Sequence, residues 1–131
     1  MNGPMLYLDN YFVTDINVKL NKEFKRPDGL IEMNPIFSKK VEKINENKAV
    51  VYLKVNIEKT NDKPFFGSIV IQGSFTCEKY ESNEDGLFLM NKTSLTILFP
   101  YLRQALSNVT TLLNVPTYVL PVINVANLFK D

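Results

Sequence analysis

The side chains that could catalyse a reaction or hold a metal are few in this sequence of 131 residues. Four carboxylates lie close together and could bind a divalent cation weakly: Glu78, Glu81, Glu84 and Asp85. Their spacing does not match the alternating ligands of a calcium-binding loop. We therefore assign this stretch to a turn and expect no metal and no cofactor.

Nucleophilic catalysis is also restricted by the composition. The chain has no histidine, which excludes Ser-His-Asp and Cys-His catalysis and histidine-ligated zinc. Cys77 is the only cysteine, so no intramolecular disulfide can form, and no activating group accompanies it. We interpret Cys77 as a small buried apolar residue, and we expect that the protein is not an enzyme.

The charge balance gives no electrostatic reason for a polyanionic partner. Fifteen basic and 14 acidic residues leave a net charge of +1, which is too small to attract nucleic acid or an anionic membrane. Lys39, Lys40 and Lys43 form a basic cluster without stacking aromatics, so a solvated strand edge is a better interpretation than an RNA contact. No apolar run approaches the roughly 18 residues of a membrane helix. Because a secretory signal pattern is also absent at the N-terminus, we expect a cytoplasmic protein without membrane insertion.

The N-terminal segment predicts one long strand. Apolar residues occupy the even positions from Leu6 to Leu20, with Phe12 among them, whereas Tyr11 falls on the polar face. Fifteen residues would span roughly 50 Å, longer than a small sheet needs. We therefore expect the strand to bend or break near Asn10 or Thr14.

Three further stretches alternate between apolar and polar residues in the same way: 36–44, 49–58 and 65–77. They predict the remaining strands of an antiparallel sheet. The stretch 21–35 contains a Pro-Asp-Gly turn and is interpreted as a connecting loop. Gly67 and Gly73 fall inside the last strand, where a bulge or tight bend is a better explanation than a ligand contact.

The spacing changes to that of a helix face from residue 94 onward. Its apolar positions recur every three or four residues: Leu95, Leu98, Phe99, Leu102, Leu106, Val109 and Leu113. Either the regular helix begins at Pro100, or it kinks there, and we favour the kink. Residues 114–116 end the helix, and a last helical turn is expected over 125–129. Strands followed by a helix predict a single α+β domain over 1–131, with the helix on one face of the sheet.

The last third of the chain has few charges. Residues 91–131 contain four charged side chains: Lys92, Arg103, Lys130 and Asp131. The outer positions of the predicted helix are mostly uncharged and polar: Thr96, Gln104, Ser107, Asn108, Thr110 and Thr111. Such a surface suits burial against another protein, so we favour oligomerisation with an apolar binding groove over a merely large core.

Two C-terminal segments carry a more specific signature. Residues 97–103 read Ile-Leu-Phe-Pro-Tyr-Leu-Arg, close to an I-L-F-P-Y-x-R motif, and 120–129 are similar to an L-x-P-[VI]-N-F-x-x-L-[FY] segment. Together with strand segments at 11–16 and 72–75, they resemble the protein-export chaperone SecB family over nearly the whole chain. The resemblance implies a four-stranded antiparallel sheet with a long C-terminal helix, assembled as a homotetramer from two dimers.

The resemblance also implies a function. Members of this family are ATP-independent holdases that bind unfolded or aggregation-prone polypeptides in apolar grooves and deliver many of them to the SecA motor for export. An unfolded chain exposes apolar side chains at irregular spacing, so a broad and adaptable apolar surface suits it. The alternative is a dedicated chaperone or adaptor for one partner, such as the antitoxin of a toxin–antitoxin–chaperone module.

Candidate site residues follow from the helix and the tail. Tyr101 is a candidate for client binding, with a subunit interface as its alternative. Six further candidates have burial inside the protomer as the alternative: Val115, Tyr118, Leu120, Val122, Ile123 and Phe129. Asp15 matches one carboxylate of the family's SecA-docking patch, whereas Lys19 and Ser68 stand at two other acidic positions. We therefore expect weakened SecA docking, which favours the dedicated alternative. Arg103 is expected either to pair with a carboxylate across a subunit boundary or to be solvated.

Overall fold

Four strands form one antiparallel sheet in the computed structural model, which describes residues 3–121. The strands are β1 (Tyr7–Leu20), β2 (Ile36–Lys43), β3 (Lys48–Ile57) and β4 (Phe65–Thr76). Their order across the sheet is β1-β4-β3-β2, so β1 and β2 are the two edges. The sheet predicted from the sequence is confirmed.

The two central strands supply most of the core from one face of the sheet. Every second residue is buried over 49–57 in β3 and over 69–75 in β4, as the side-chain period of a strand requires. The buried side chains include Val51, Leu53, Ile69, Ile71 and Phe75. This alternation explains why the sequence pattern predicts both strands.

The edge strand β1 is continuous but irregular. Its pairing with β4 shifts between Leu8 and Asn10 and again between Val13 and Asp15, so that Asp9 and Thr14 are extra residues. Of the two predicted alternatives, a bend or a break, the break is wrong, because two bulges accommodate the length without interrupting the strand. The second bulge does fall at Thr14, one of the two positions expected for the irregularity.

The bulges reverse the expected orientation of two aromatic residues. Tyr11 lies opposite Gly73 and therefore shares the face that carries the helix, whereas Phe12 lies opposite Gln72 on the other face. The prediction that Phe12 points to the core is wrong, because an extra residue at Asp9 changes the side-chain phase of the strand. The side chain of Phe12 is exposed.

The helical region starts earlier than the sequence pattern indicates. Helix α1 (Glu84–Phe88) leads through a π-helical turn at Leu89–Thr93 into α2 (Ser94–Leu112). The side chain of Asn83 caps α1 by accepting a hydrogen bond from the N–H of Gly86 at 2.7 Å. The last carboxylates of the predicted turn therefore lie in the first turn of α1, where acidic groups are favourable.

Helix α2 continues through its proline. Pro100 lies inside the helix, so the alternative in which the helix begins there is wrong. Proline has no N–H to donate to the carbonyl oxygen of Thr96, and both residues are exposed, so solvent can satisfy that oxygen. The predicted apolar face is confirmed, with Leu95, Leu98 and Leu102 fully buried.

Two glycines of β4 permit close backbone approaches. A Cβ atom at Gly73 would lie 2.7 Å from Cδ2 of Leu98, so this glycine lets α2 pack close to the sheet. Gly67 has a φ of 129°, and a Cβ there would overlap the carbonyl group of Asn17 on β1. The expected irregularity is therefore present at Gly67, whereas Gly73 makes room for the helix.

The chain leaves α2 in an irregular segment. Asn114 adopts a left-handed conformation with a φ of 61°, and the N–H of Val115 bonds to the carbonyl of Thr110 at 3.3 Å. The helical turn predicted over 125–129 lies outside the described residues. Within residues 3–121, no helix is long and apolar enough to cross a membrane.

Candidate binding groove

The loop between β1 and β2 and the segment after α2 flank an open, mainly apolar cavity of about 200 Å³. Four of its lining residues come from the loop: Phe24, Arg26, Ile31 and Met33. The others come from the start of β4 and from the segment after the helix: Pro64, Phe65, Pro116, Thr117 and Tyr118. We call this cavity the groove.

A buried asparagine fixes the loop side of the groove. The side-chain amide of Asn21 donates to the carbonyl oxygens of Thr60 and Lys63, each at 2.9 Å. Its Oδ1 accepts from the N–H of Glu23 at 3.0 Å. The start of the loop is thereby tied to the β3–β4 connection, which places Phe24 beside Phe65 at the groove.

Two hydroxyl groups of α2 fix the opposite side. Thr110 Oγ1 accepts a hydrogen bond from the N–H of Tyr118 at 3.1 Å, and Ser107 Oγ donates to the carbonyl oxygen of Tyr118 at 3.0 Å. Both hydroxyls were predicted to lie on a face buried by another protein. For Thr110 that prediction is wrong, because the side chain is buried by the protomer's own segment after the helix.

Tyr118 is the candidate residue that lies at the groove. Its ring is tilted by 56° against that of Phe65, with 5.9 Å between the ring centroids. Burial raises the pKa of the Tyr118 phenol above its ordinary value, so the neutral form is favoured. A half-buried, neutral aromatic ring is suited to apolar contacts.

The other candidates are dispersed. Tyr101 stacks on Tyr11, which is paired with Gly73 of β4. Gly73 is eight residues from the groove residue Phe65 along the same strand, a distance of roughly 27 Å at about 3.4 Å per residue. Val115 is half-buried against the core. Leu120 is fully buried in the protomer, which is the alternative to client binding given for this residue. Three candidates lie outside the described residues: Val122, Ile123 and Phe129.

The loop residues of the groove were missed by the sequence analysis. The stretch 21–35 was interpreted as a connection only, yet Phe24, Ile31 and Met33 line the groove or support it from the core. A signal was present, since a purely connecting loop has little reason to contain several large apolar side chains. Arg26 adds a cation at the opening of this apolar wall.

The strand β1 presents a second apolar surface. Six of its large side chains are exposed, on both faces of the strand: Tyr7, Tyr11, Phe12, Val13, Ile16 and Leu20. The exposed fractions of Phe12 and Ile16 are 56% and 57%. Because β1 is also an edge with unpaired backbone groups, this strand can extend the sheet into another chain.

The positions related to SecA docking lie on the face of the sheet opposite α2. Asp15 is paired with Val70, Ser68 with Asn17, and Lys19 with Phe66. The three positions therefore share one face, but only one of them is acidic. The structure confirms neither alternative for Arg103, whose Nε atom is buried without a hydrogen-bond partner among residues 3–121.

Among residues 3–121, no three histidine, cysteine or acidic side chains are placed to hold a metal ion. Cys77 is buried, and desolvation raises the pKa of its thiol, which disfavours the nucleophilic thiolate. The closest ion pairs join Lys43 to Glu81 and Lys59 to Glu23, each at 2.6 Å and both at the surface.

The sequence is similar to a known protein family and to a protein of another organism. The model of the family described as "SecB: Preprotein translocase subunit SecB" matches residues 3–131. An uncharacterized protein of Methanocaldococcus jannaschii, MJ0357, is 31% identical over 132 residues, which cover 96% of this chain and 83% of the relative.

Two solved structures share the fold. The SecB-like chaperone Rv1957 of Mycobacterium tuberculosis, in complex with a ChAD peptide from the HigA1 antitoxin Rv1956, has a TM-score of 0.66 at 13% identity and 90% coverage of both chains. A Streptococcus agalactiae protein of unknown function has a TM-score of 0.53 at 14% identity, covering 92% of this chain and 100% of that one.

Proposed function

The chain belongs to the SecB family, and we propose that it is an ATP-independent holdase that binds unfolded polypeptides at the groove beside α2. Family membership supports a chaperone function in general. The observation that carries the holdase proposal is the open cavity of about 200 Å³ with aromatic and aliphatic walls. The proposal requires no catalytic step, cofactor or nucleotide.

The construction of the groove suits a client of variable sequence. Its walls come from a loop and from an irregular segment, both of which can adjust more easily than packed strands. Phe24 and Tyr118 offer large apolar contact areas, and Met33 supports the loop from the core. A surface of this kind holds apolar side chains without demanding one particular shape.

Light scattering tests this proposal directly. A chemically unfolded, unrelated client protein is diluted into rising amounts of the purified protein without nucleotide. We expect suppression of aggregation near one oligomer per client, because binding to the unfolded state removes the aggregating species. An absence of suppression at large excess would overturn general holdase activity.

A dedicated chaperone for one partner is the second candidate. Two observations favour it: the structural neighbour Rv1957 holds a peptide from an antitoxin, and Lys19 replaces a carboxylate expected for SecA docking. In that case the protein would bind one aggregation-prone partner and show little general suppression. Titration with purified SecA separates the two, since an export chaperone must bind SecA and a dedicated chaperone need not.

Assembly and location complete the proposal. We propose a homotetramer built from two dimers, supported by the exposed apolar edge β1 and by an outer face of α2 whose sole charge is Arg103. Repeating the groove around an oligomer would raise the avidity for a long client chain. Family membership supports a cytoplasmic location, where nascent chains are available before export.

A further inference from the structure

The face of the sheet opposite α2 contains a hollow of about 340 Å³. Four of its lining residues form two cross-strand pairs between β2 and β3. Ser38 of β2 is paired with Lys54 of β3, and Lys40 of β2 is paired with Tyr52 of β3. Val70 of β4, paired with Lys54, completes the floor. The groove lies on the other face, so the hollow is a separate surface.

Cations outnumber carboxylates around this hollow. The Nζ atom of Lys40 lies 3.3 Å from a carboxylate oxygen of Glu42 and 5.7 Å from the ring centroid of Tyr52. Lys54 is exposed and forms no ion pair with any residue in 3–121. Lys39 stands at the rim. Of the two lysines that face the hollow, Lys40 therefore has a carboxylate partner, Glu42, and Lys54 has none among residues 3–121.

The floor between the lysines is apolar and half-buried. Tyr52 and Val70 are neighbours on adjacent strands and leave part of their surface open to solvent. On the β1 side, Asp15 is paired with Val70 and lies two strand spacings from Lys54, about 10 Å. An anionic partner is therefore attracted to the β2–β3 half of this face, and Asp15 repels it only locally on the β1 side.

We propose that this hollow is a docking site for an acidic segment of a partner protein. Carboxylates of the segment pair with Lys40 and Lys54, and an apolar side chain between them packs on Tyr52 and Val70. Charge complementarity identifies the occupant, because Glu42 is the single carboxylate that pairs with Lys40 or Lys54 within the described chain. Two or three cations are too few for tight nucleic-acid binding, which depends on many phosphate contacts.

A pair of labelled peptides tests the proposal on the full chain. The first peptide repeats Glu-Glu-Phe and the second repeats Lys-Lys-Phe, so that the two differ only in the sign of their charge. We expect the acidic peptide to bind more tightly by fluorescence anisotropy at low ionic strength, and to lose affinity as salt is added. Equal binding of both peptides would overturn the proposal.

Charge reversal locates the site. K40E combined with K54E should weaken binding of the acidic peptide by about tenfold, because two attractions become repulsions. The control K22E with K25E makes the same change in net charge at two exposed lysines of the β1–β2 loop and should alter the affinity by less than about twofold. An equal loss in both variants would mean a general charge effect and would overturn the docking site.

Amide chemical shifts keep the test independent of the groove. The acidic peptide should perturb the amide signals of Ser38, Lys54 and Val70. Perturbation centred on Phe24 and Tyr118 would overturn the proposal, because the phenylalanines of the peptide would then be bound as a client. Tighter binding of oligouridylate than of the acidic peptide would also overturn it, in favour of nucleic acid. None of these outcomes depends on holdase activity, which light scattering measures separately.

Discussion

The ring of Tyr11 on the edge strand β1 stacks on the ring of Tyr101 in α2, with 4.1 Å between the centroids and 26° between the ring planes. Tyr101 belongs to the sequence signature of residues 97–103, and the stack gives it a structural role within the protomer. The pair joins the helix to a strand whose own side chains are mostly exposed. It therefore fixes β1 relative to α2 where the buried core contributes little.

A double-mutant cycle measures this stack. We expect Y11A and Y101A each to lower the free energy of unfolding, and their combined effect to differ from the sum by about 0.5 to 1.5 kcal/mol, as for other aromatic pairs. Chemical denaturation of the four proteins gives the coupling energy. Additive effects would show that the two rings make no energetic contact in solution.

Replacement of two groove aromatics should weaken client binding. F24S combined with Y118S removes both rings from the walls, and burial of such a side chain contributes about 1.5 kcal/mol or more. We therefore expect the affinity for an unfolded client to fall at least about tenfold. Anisotropy with a labelled, permanently unfolded client measures the change.

A matched variant controls for loss of apolar surface in general. L30S combined with V119S also removes two large exposed side chains, but neither residue lines the groove. Client affinity should remain within about twofold of the original value. Equal losses in both double variants would assign client binding to the surface at large and not to the groove.

Two glycines separate backbone strain from steric overlap. Gly67 and Gly29 both have positive φ, at 129° and 102°, but only at Gly67 would a Cβ collide with another strand. G29A should cost about 1 kcal/mol of unfolding free energy, whereas G67A should cost about 3 kcal/mol or more. Urea denaturation provides both values. Similar costs for the two variants would mean that β1 moves aside without penalty.

Tyr118 should make stability fall at high pH. Burial raises its pKa above the ordinary value of 10.0, so the unfolded chain releases the phenol proton before the folded chain does. The contribution is therefore complete below about pH 10 and declines as the pH rises through the folded-state pKa. Denaturation at several pH values should show a smaller decline in Y118F. An unchanged decline would assign the effect to other groups, such as Tyr80, whose pKa burial also raises.

The apolar edge β1 should carry the contact between protomers. F12K combined with I16K adds charge to both faces of this edge, and we expect the mass measured by light scattering after size exclusion to fall to a smaller assembly. The comparison variant I36K with I44K changes two exposed isoleucines at or beside the β2 edge and should keep the original mass. Dissociation by the second variant alone would move the interface to β2.

The central strands and the helix face could be predicted because one simple period governs each of them. β3 buries every second residue without interruption, and α2 follows the helical period even through Pro100. Tertiary packing overrides the local cost of the proline, since the apolar face continues on both sides of it. Strands and helices with such regular spacing of apolar residues can be predicted from a single sequence.

The phase of β1 and the composition of the groove could not be predicted in the same way. A bulge at Asp9 turns the side chains of residues 10–13 to the other face, and a second bulge at Thr14 restores the original phase. No residue type announces either bulge in advance. The meeting of Phe24 with Tyr118 depends on long-range hydrogen bonds, above all those of Asn21 across the β3–β4 connection. Hydrophobic spacing carries no information about such distant pairings.

The two edges of the sheet differ in character, and this difference limits how far it can grow. β1 offers exposed apolar side chains, whereas β2 displays the charges of Lys39, Lys40 and Glu42. Two copies that join through β1 would form a continuous sheet related by a two-fold axis, with a charged β2 strand at each outer end. Charged side chains at these ends disfavour the addition of a further strand. The fold can therefore expose an apolar edge strand and still form a closed dimeric sheet instead of an open fibril.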